Sequence, residues 1–518
     1  MAQSEIRYID TRGKVVEPQR FSDVVIKGLA PGGGLFVPAE IPHLTMDEIL
    51  GLAKLPYARR ASFVYQRFGV DFTPEKLDAL FDRIYGKQFD TPEICPIICP
   101  ISDVADGMHV LELWHGPTSA FKDMALQALP VFFSASVEKQ RAEGGPDTHY
   151  LIAVATSGDT GKAALQGFAD VDHTSIVVYY PRDGVSDIQR KQMVTQEGKN
   201  VCVYAVEGNF DDCQTSVKRM FADADFAKKL LADHNTALSS ANSINWGRLL
   251  PQVVYYVSAY TMMAERGAVK AGDPIDVTVP TGNFGNIMAA WYAKQMGVPI
   301  ARTVCASNDN KVLTDFINSG IYTIREREFL KTPSPSMDIL VSSNLERLLF
   351  EVTGHDGETV RAWEAALDSA REYQVDAETL AKIQQDFGAG YVPSDECLAT
   401  IREVYETYGY LIDPHTAVAW KVAEQAKGGN PMLVVSTANW AKFGANVYRG
   451  LEGLEPGAAL PEELSKLTDV ELNRQVSKIA GDAPIPAGLD ELDQKEVRFT
   501  EAISGDVEAI ESSVVRFL

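Results

Sequence analysis

The sequence predicts an α/β protein: a parallel sheet with helices on both faces, preceded by a mixed N-terminal segment. Two observations carry this. From about residue 108, short apolar runs end in glycine or polar turns, and stretches of helical periodicity follow each of them. The runs are continuously apolar rather than alternating, as strands covered on both faces should be. A third observation bounds the size. At 518 residues the chain exceeds one simple core, so two or three domains are expected.

In chain order, residues 6–10 read as a short strand, and a glycine-rich turn, LAPGGGLFVP, occupies 29–38. Helical stretches follow at 47–55 and 74–85, and the prolines of 91–100 mark a boundary. Strands are predicted at 150–155, 175–180, 201–206, 275–279, 302–306 and 432–436, with helices at 162–168, 186–196, 211–221, 246–265, 286–296 and 415–426. Between 354 and 389 the strands stop and charged helices take over, which reads as a helical insertion on the surface. The tail after Gly453 is acidic and proline-punctuated, with a helical run at 461–478. The expected units are an N-terminal domain (1–100), α/β lobes (101–353), a helical insertion (354–395), completion of the lobes (396–453) and a C-terminal helical tail (454–518).

Composition narrows the function. The chain is 45% hydrophobic and 23% charged, ordinary for a soluble globular protein. Its 48 basic and 71 acidic residues give a net charge of −23, which disfavours nucleic acid as a partner. Cys95, Cys99, Cys202, Cys213, Cys305 and Cys397 form no CxxC pair, and the eight histidines show no HExxH or HxxxH spacing. Buried free thiols and no metal site are expected. The polar opening, MAQSEIRYID, and the lack of any apolar run of spanning length point to a cytoplasmic protein without a membrane partner. A monomer or small homo-oligomer is expected.

The chemistry sits in the turns, because ligands of open α/β sheets bind at the carboxyl ends of strands. Residues 115–123 read HGPTSAFKD, and an apolar helix follows. Lys122 therefore lies where a loop enters a buried helix. Desolvation disfavours its charge, and a lysine of depressed pKa is a nucleophilic amine that forms Schiff bases. Thr118 and Ser119, just ahead of it, are candidate substrate contacts. The turn PTGNFGN (280–286) opens a helix, and its two glycines with the helix N-terminus suit a phosphate, though such turns also arise for steric reasons alone. TSGDTGK (156–162) fails as a P-loop, having Thr156 and Ala163 where glycine and a hydroxyl are required. It reads as a carboxylate-binding loop or as a helix cap by Asp159 or Thr160, and these are compatible. The hydroxyls of Ser436 and Thr437 end a strand, where they either face the crevice or cap a helix. Asn242, Ser243, Asn245 and Arg248 bring amides, a hydroxyl and a guanidinium together before a long helix, as a second anion site or a capped helix with a solvated arginine. All these turns fall at strand ends of one sheet, and pyridoxal phosphate satisfies the whole set: an aldehyde for Lys122, a phosphate for the glycine turn, and a ring nitrogen needing a partner.

The blocks YIDTRG, GLAPGGGLFVP, LWHGPTSAFKD, ATSGDTG, SINWGR, PTGNFGN, DPHTAVA and STANWAKF together resemble those of the threonine synthases, in their order and over nearly the whole chain. These are fold type II pyridoxal-phosphate enzymes, similar to tryptophan synthase β, and the resemblance is to the long branch found in fungi and many bacteria. It implies two-lobed open parallel sheets with an additional N-terminal α+β domain. It implies that Lys122 carries the cofactor, that Gly282, Asn283, Phe284, Gly285 and Asn286 hold its phosphate, and that Thr437 hydrogen-bonds the pyridine nitrogen. Ser157, Asp159 and Thr160 would face the substrate carboxylate and cofactor hydroxyl, with Arg248, Asn242, Ser243 and Asn245 at a substrate phosphate. The implied reaction is that of a carbon–oxygen lyase acting on phosphates: O-phospho-L-homoserine and water give L-threonine and phosphate, the last step of threonine biosynthesis. The same motifs serve a phospho-lyase releasing 2-oxobutyrate, and a non-catalytic relative acting as a binding factor is the other alternative.

Overall fold

The computed structural model describes residues 6–85, 99–156, 158–208 and 210–518. Most of the 91–100 boundary, Cys95 and Ser157 lie outside the described residues.

The N-terminal segment pairs β1 (Tyr8–Asp10) antiparallel with β2 (Phe36–Pro38). Helices Phe21–Lys27, Met46–Gly51, Tyr57–Arg67 and Pro74–Ile84 surround the pair. The first and third of these have no counterpart in the sequence reading. In Tyr57–Arg67 the buried face carries Arg60, a charge that interrupts the apolar stripe. Arg60 Nη1 donates to Ser258 Oγ at 2.9 Å, on the helix Trp246–Glu265. That long helix is buried from Trp246 to Met263, which fits a sequence apolar on every face. The N-terminal segment supplies part of its cover, through Tyr8 and Phe68 rings 5.7 and 5.8 Å from Trp246.

Two sheets follow, not one. β3 (Ile101–Ala105) and β4 (Met108–Glu112) are antiparallel neighbours. β5 (His149–Ala155), β6 (Thr174–Pro181), β7 (Val201–Glu207) and β8 (Thr236–Ser239) come next, then β9 (Ile275–Pro280) and β10 (Ile300–Ser307). A short antiparallel pair, β11 (Ile321–Thr323) and β12 (Glu372–Gln374), lies apart. β13 (Phe387–Tyr391), β14 (Met432–Ser436) and β15 (Ala502–Ser504) complete the strands. The larger sheet has the order β13-β10-β9-β14-β4-β3 and is parallel except at β3; the smaller, β15-β7-β6-β5-β8, is wholly parallel. Alternating strand and helix signals say nothing about which strands pair, so the sequence could not divide the turns between two sheets. The two-lobed architecture that the resemblance implied is the one observed.

Two predicted regions need correction. The 354–395 region does hold helices, Gly357–Ala370 and Ala377–Asp386, but β12 separates them and β13 follows as an edge strand of the larger sheet. The β13 sequence FGAGY contains two glycines and an alanine, so it lacks the β-branched signature of a strand. The 454–518 tail is likewise not wholly helical: β15 docks on β7, and the final helix, Val507–Phe517, lies against Phe210–Ala222. Cys213, Cys305 and Cys397 are buried free thiols, Cys99 is buried, and Cys202 is half-buried. Among the described residues no helix is long and apolar enough to cross a membrane.

One contact couples the lobes to the lysine turn. Helix Asp159–Phe168 lies so close to helix Lys122–Leu126 that a Cβ at Gly167 would sit 1.8 Å from the Leu126 carbonyl oxygen. Gly167→Ala is therefore expected to destabilise the fold by about 1–3 kcal/mol, as overpacking does. A urea midpoint equal to that of the parent protein would refute the close packing.

Candidate active site

Lys122 is placed by a backbone clasp. The Phe121 N–H donates to the Thr437 carbonyl at 2.8 Å, the Asn439 N–H donates to the Ser119 carbonyl at 3.1 Å, and Ala120 bridges Ala438. This sets the start of helix Lys122–Leu126 beside the end of β14. Asp123 locks the loop ahead of it, accepting from the Thr118 N–H at 2.8 Å and the Thr118 hydroxyl at 2.7 Å. Burial raises the Asp123 carboxyl to about 6, although the Thr118 donors oppose the shift.

The Lys122 ammonium faces a polar cluster. Its Nζ is 3.4 Å from Ser336 Oγ and 3.6 Å from Asp159 Oδ2. Burial lowers Lys122 to about 8; Asp159 opposes this, and the cations Arg248 and Lys442 reinforce it. The shift has the direction expected of a lysine desolvated at the start of a buried helix. Asp159 is itself buried, which disfavours its charge, but Lys442 and Lys122 outweigh burial and hold it well below the usual carboxylate range. Its Oδ1 accepts from Gln189 Nε2 at 2.9 Å and faces Lys442 Nζ at 3.0 Å. Asp159 is therefore an acceptor and a counter-charge.

The glycine turn forms a cup for an anion. A Cβ at Gly282 would lie 2.8 Å from the Ser336 carbonyl oxygen, so this position requires glycine. Phe284 caps helix Gly285–Gln295 with φ at 60°, a left-handed conformation held by its burial and by Phe387, 5.6 Å away. The turn's carbonyls face away into protein: Gly282 O accepts from Ser342 Oγ, and Asn283 O from both Asn344 nitrogens. The first N–H groups of the helix have no carbonyl of their own to pair with. Asn286 supplies the most direct sign of a ligand. Tyr255 and Tyr256 hydroxyls engage its Oδ1 at 2.6 and 2.5 Å, and its buried Nδ2 has no hydrogen-bond partner among the described residues. An unsatisfied buried donor at a helix N-terminus fits a phosphate. The cup, the Lys122 amine and Thr437 line one cavity of about 490 Å³. The residues present therefore fit pyridoxal phosphate.

Arg248 lines the same cavity, with Asn242, Ser243, Asp159 and Thr160. It is not on a solvated face: burial lowers its guanidinium to about 10. Its Nη1 donates to the Ala241 carbonyl at 2.9 Å, and no described carboxylate pairs with it. Three other expected substrate contacts turn elsewhere. Asn245 caps the Trp246–Glu265 helix through Gly247 N–H and donates to the Val25 carbonyl at 2.9 Å, so it fastens the N-terminal segment. The Thr118 hydroxyl belongs to Asp123. Ser119 takes φ at 60° and serves the clasp through its backbone. A motif brings such residues close in sequence, but helix geometry decides which of them points into the crevice.

Three site residues escaped the sequence reading. Lys442 lies within the STANWAKF block and is buried; a lysine inside an otherwise apolar stretch was the available signal. Ser336 sits in a proline–serine loop with no periodicity, so only folding reveals it. Arg347 joins three segments from within: it donates to Phe36 O at 3.1 Å, Ile244 O at 2.6 Å and Asn344 Oδ1. It thereby ties the N-terminal segment to the Arg248 turn and to the glycine turn at 280–286.

Comparison with known proteins agrees with this geometry. The family models "Threonine synthase N terminus", "Pyridoxal-phosphate dependent enzyme" and "Threonine synthase, C-terminal" match residues 7–85, 108–437 and 416–482. Threonine synthase of Pseudomonas aeruginosa is 37% identical over 472 residues, covering 90% of this chain and 94% of that protein. Threonine synthase-like 1 of Homo sapiens is 44% identical over 446 residues, 84% of this chain, and the match spans only 58% of that longer protein. The crystal structure of PLP-bound threonine synthase from Brucella melitensis superposes with a TM-score of 0.85 at 36% identity, covering 99% of both chains. By sequence, by fold and by the fit of its cavity to the cofactor, the chain belongs to the threonine synthase family of pyridoxal-phosphate-dependent enzymes.

Proposed function

We propose that the protein converts O-phospho-L-homoserine and water to L-threonine and phosphate. The observation that carries this reading is the presence, in one cavity with the Lys122 amine, of two separate anion devices. The cup at Gly282–Asn286 serves the cofactor phosphate; the Arg248 guanidinium, buried and with no carboxylate partner among the described residues, serves a second one.

Pyridoxal phosphate, when bound, supplies an aldehyde that condenses with amines and a ring that draws electrons from the adjacent carbon. The chain's own groups do the rest. Thr437 would engage the ring nitrogen, and Thr160 the substrate carboxylate. Lys122 Nζ would take a proton from Cα and return it along the carbon chain. Arg248, with Asn242 and Ser243, orients the phosphate leaving from Cγ and neutralises its charge, before water adds at Cβ.

The test is incubation with phosphohomoserine, following both phosphate and threonine; equal amounts are expected. The 44% identity to Threonine synthase-like 1, against 37% to a threonine synthase, favours a second reading. In that reading the enzyme is a phospho-lyase, and 2-oxobutyrate as main product would establish it. Arg248→Ala should raise KM for phosphohomoserine about ten- to a hundredfold, the worth of a charge-assisted hydrogen bond, and leave the cofactor's visible band intact. An unchanged KM would place the substrate phosphate elsewhere.

A further inference from the structure

Ser336 belongs to no motif, yet its hydroxyl lies between the two reactive groups of the site. We infer that Ser336 is a further catalytic residue, whose hydroxyl receives the Lys122 ammonium while the lysine carries the substrate's proton, and that Asp413 and His415 set its position. The inference rests on the reading above that Lys122 moves that proton.

The positioning is built from the DPHTAVA block. Asp413 and His415 are 1% and 2% exposed. Asp413 Oδ2 lies 2.6 Å from His415 Nδ1 and also accepts the His415 N–H at 3.0 Å. The other carboxylate oxygen accepts the Thr416 N–H and hydroxyl. With its Nδ1–H committed to Asp413, the ring must accept at Nε2, and there it receives the Ser336 N–H at 3.1 Å. The ring is held from one side by Phe443, with centroids 4.8 Å apart. Ser336 occupies the single 3-10 turn Pro335–Met337. Asp338, just beyond it, is anchored by Asn308 and Asn310 amides at 2.8 and 3.0 Å. The turn is thus fixed at both ends.

Its hydroxyl then lies 3.3 Å from Asp159 Oδ2 and 3.4 Å from Lys122 Nζ. A hydroxyl has one proton, and it donates that to the carboxylate. Its lone pair remains to accept from the ammonium. The step balances simply. The substrate C–H bond breaks, its electron pair stays on the substrate, and an N–H bond forms at Lys122. The ammonium donates one of its hydrogens to Ser336 Oγ, and the proton leaves for the next carbon, so Ser336 gains and loses none. Without the hydroxyl, the ammonium would face Asp159 at 3.6 Å, too far to be oriented by a hydrogen bond.

The experiment uses the holoenzyme and two probes. Hydroxylamine displaces the lysine from the cofactor whatever the natural substrate, and is read as loss of the visible band. Exchange of the α-hydrogen of phosphohomoserine in deuterium oxide is read by NMR. Ser336→Ala should slow displacement about tenfold and exchange about a hundredfold, with KM within about twofold. His415→Phe should do the same, and should add little in the Ser336→Ala background. His415→Gln, which keeps an acceptor for the Ser336 N–H, should restore most of both rates. Wild-type displacement in Ser336→Ala, or loss in His415→Gln equal to that in His415→Phe, overturns the inference. A parent enzyme that shows these effects but forms no threonine overturns only the phosphohomoserine reading.

Discussion

Lys122→Ala is expected to abolish turnover of phosphohomoserine and to remove the visible absorbance of bound cofactor, while leaving the protein folded. The fold should survive because the substitution removes a desolvated charge. Asp159 keeps its partners Lys442, Gln189 and Ser336, and the backbone clasp that places residue 122 is made by Phe121, Ala120 and Ser119. Turnover should fall far beyond the ~10²–10⁴ of a lost acid–base group, because in the proposed function the same amine is also the covalent anchor of the cofactor. The anchor gone, only the cup at Gly282–Asn286 and Thr437 would retain the cofactor, and dialysis should strip it. Lys122→Arg gives the contrast: it keeps a cation but cannot give up its proton at any useful pH, so it should be as inactive as the alanine variant. The measurement is the absorbance spectrum of the purified variant beside its rate of phosphate release. A parent protein with no visible band would point to a non-catalytic binding factor, and an alanine variant with half the parent rate would remove Lys122 from the chemistry.

How much of this site the sequence declared depends on what kind of contact each residue makes. The helix at 246–265 and the strand at 432–436 are legible to the residue, because an unbroken apolar run bounded by polar turns has one reading. Lys122 and the 280–286 turn are legible because a lysine and paired glycines are anomalous where they stand. β13 and β15 are not: each is a short edge strand, held by backbone pairing to one neighbour, and leaves no periodic trace. Asn245 and Arg248 share one motif, yet one caps its helix toward the N-terminal segment and the other enters the cavity, a difference of helical phase that no motif records. Ser336 and Arg347 act across more than a hundred residues of sequence, on Lys122 and on Phe36, and such contacts exist only after folding.

Lys442→Met should be the most damaging single change beneath the site, and it exposes how the lysine is tuned. Lys442 is 1% exposed, and its ammonium donates to the Thr118 carbonyl at 2.8 Å and faces Asp159 at 3.0 Å. Methionine keeps most of the volume and none of the charge. Asp159, buried, then loses its nearest cation and keeps only Gln189, Ser336 and the more distant Lys122, which costs up to about 3–5 kcal/mol, read as a lower denaturant midpoint. The chemical effect has a definite sign. Burial lowers Lys122 to about 8, Asp159 opposes that, and Lys442 is among the cations that reinforce it. Removing the Lys442 charge therefore raises Lys122, less neutral amine is present at neutral pH, and the acid limb of the kcat profile moves to higher pH. Asp159→Asn removes the opposing charge, so the same limb should move to lower pH. The two residues touch, yet their substitutions are expected to shift one titration in opposite directions. Shifts of the same sign would show that the pair acts through packing, and that the charges around Lys122 do not set its proton affinity.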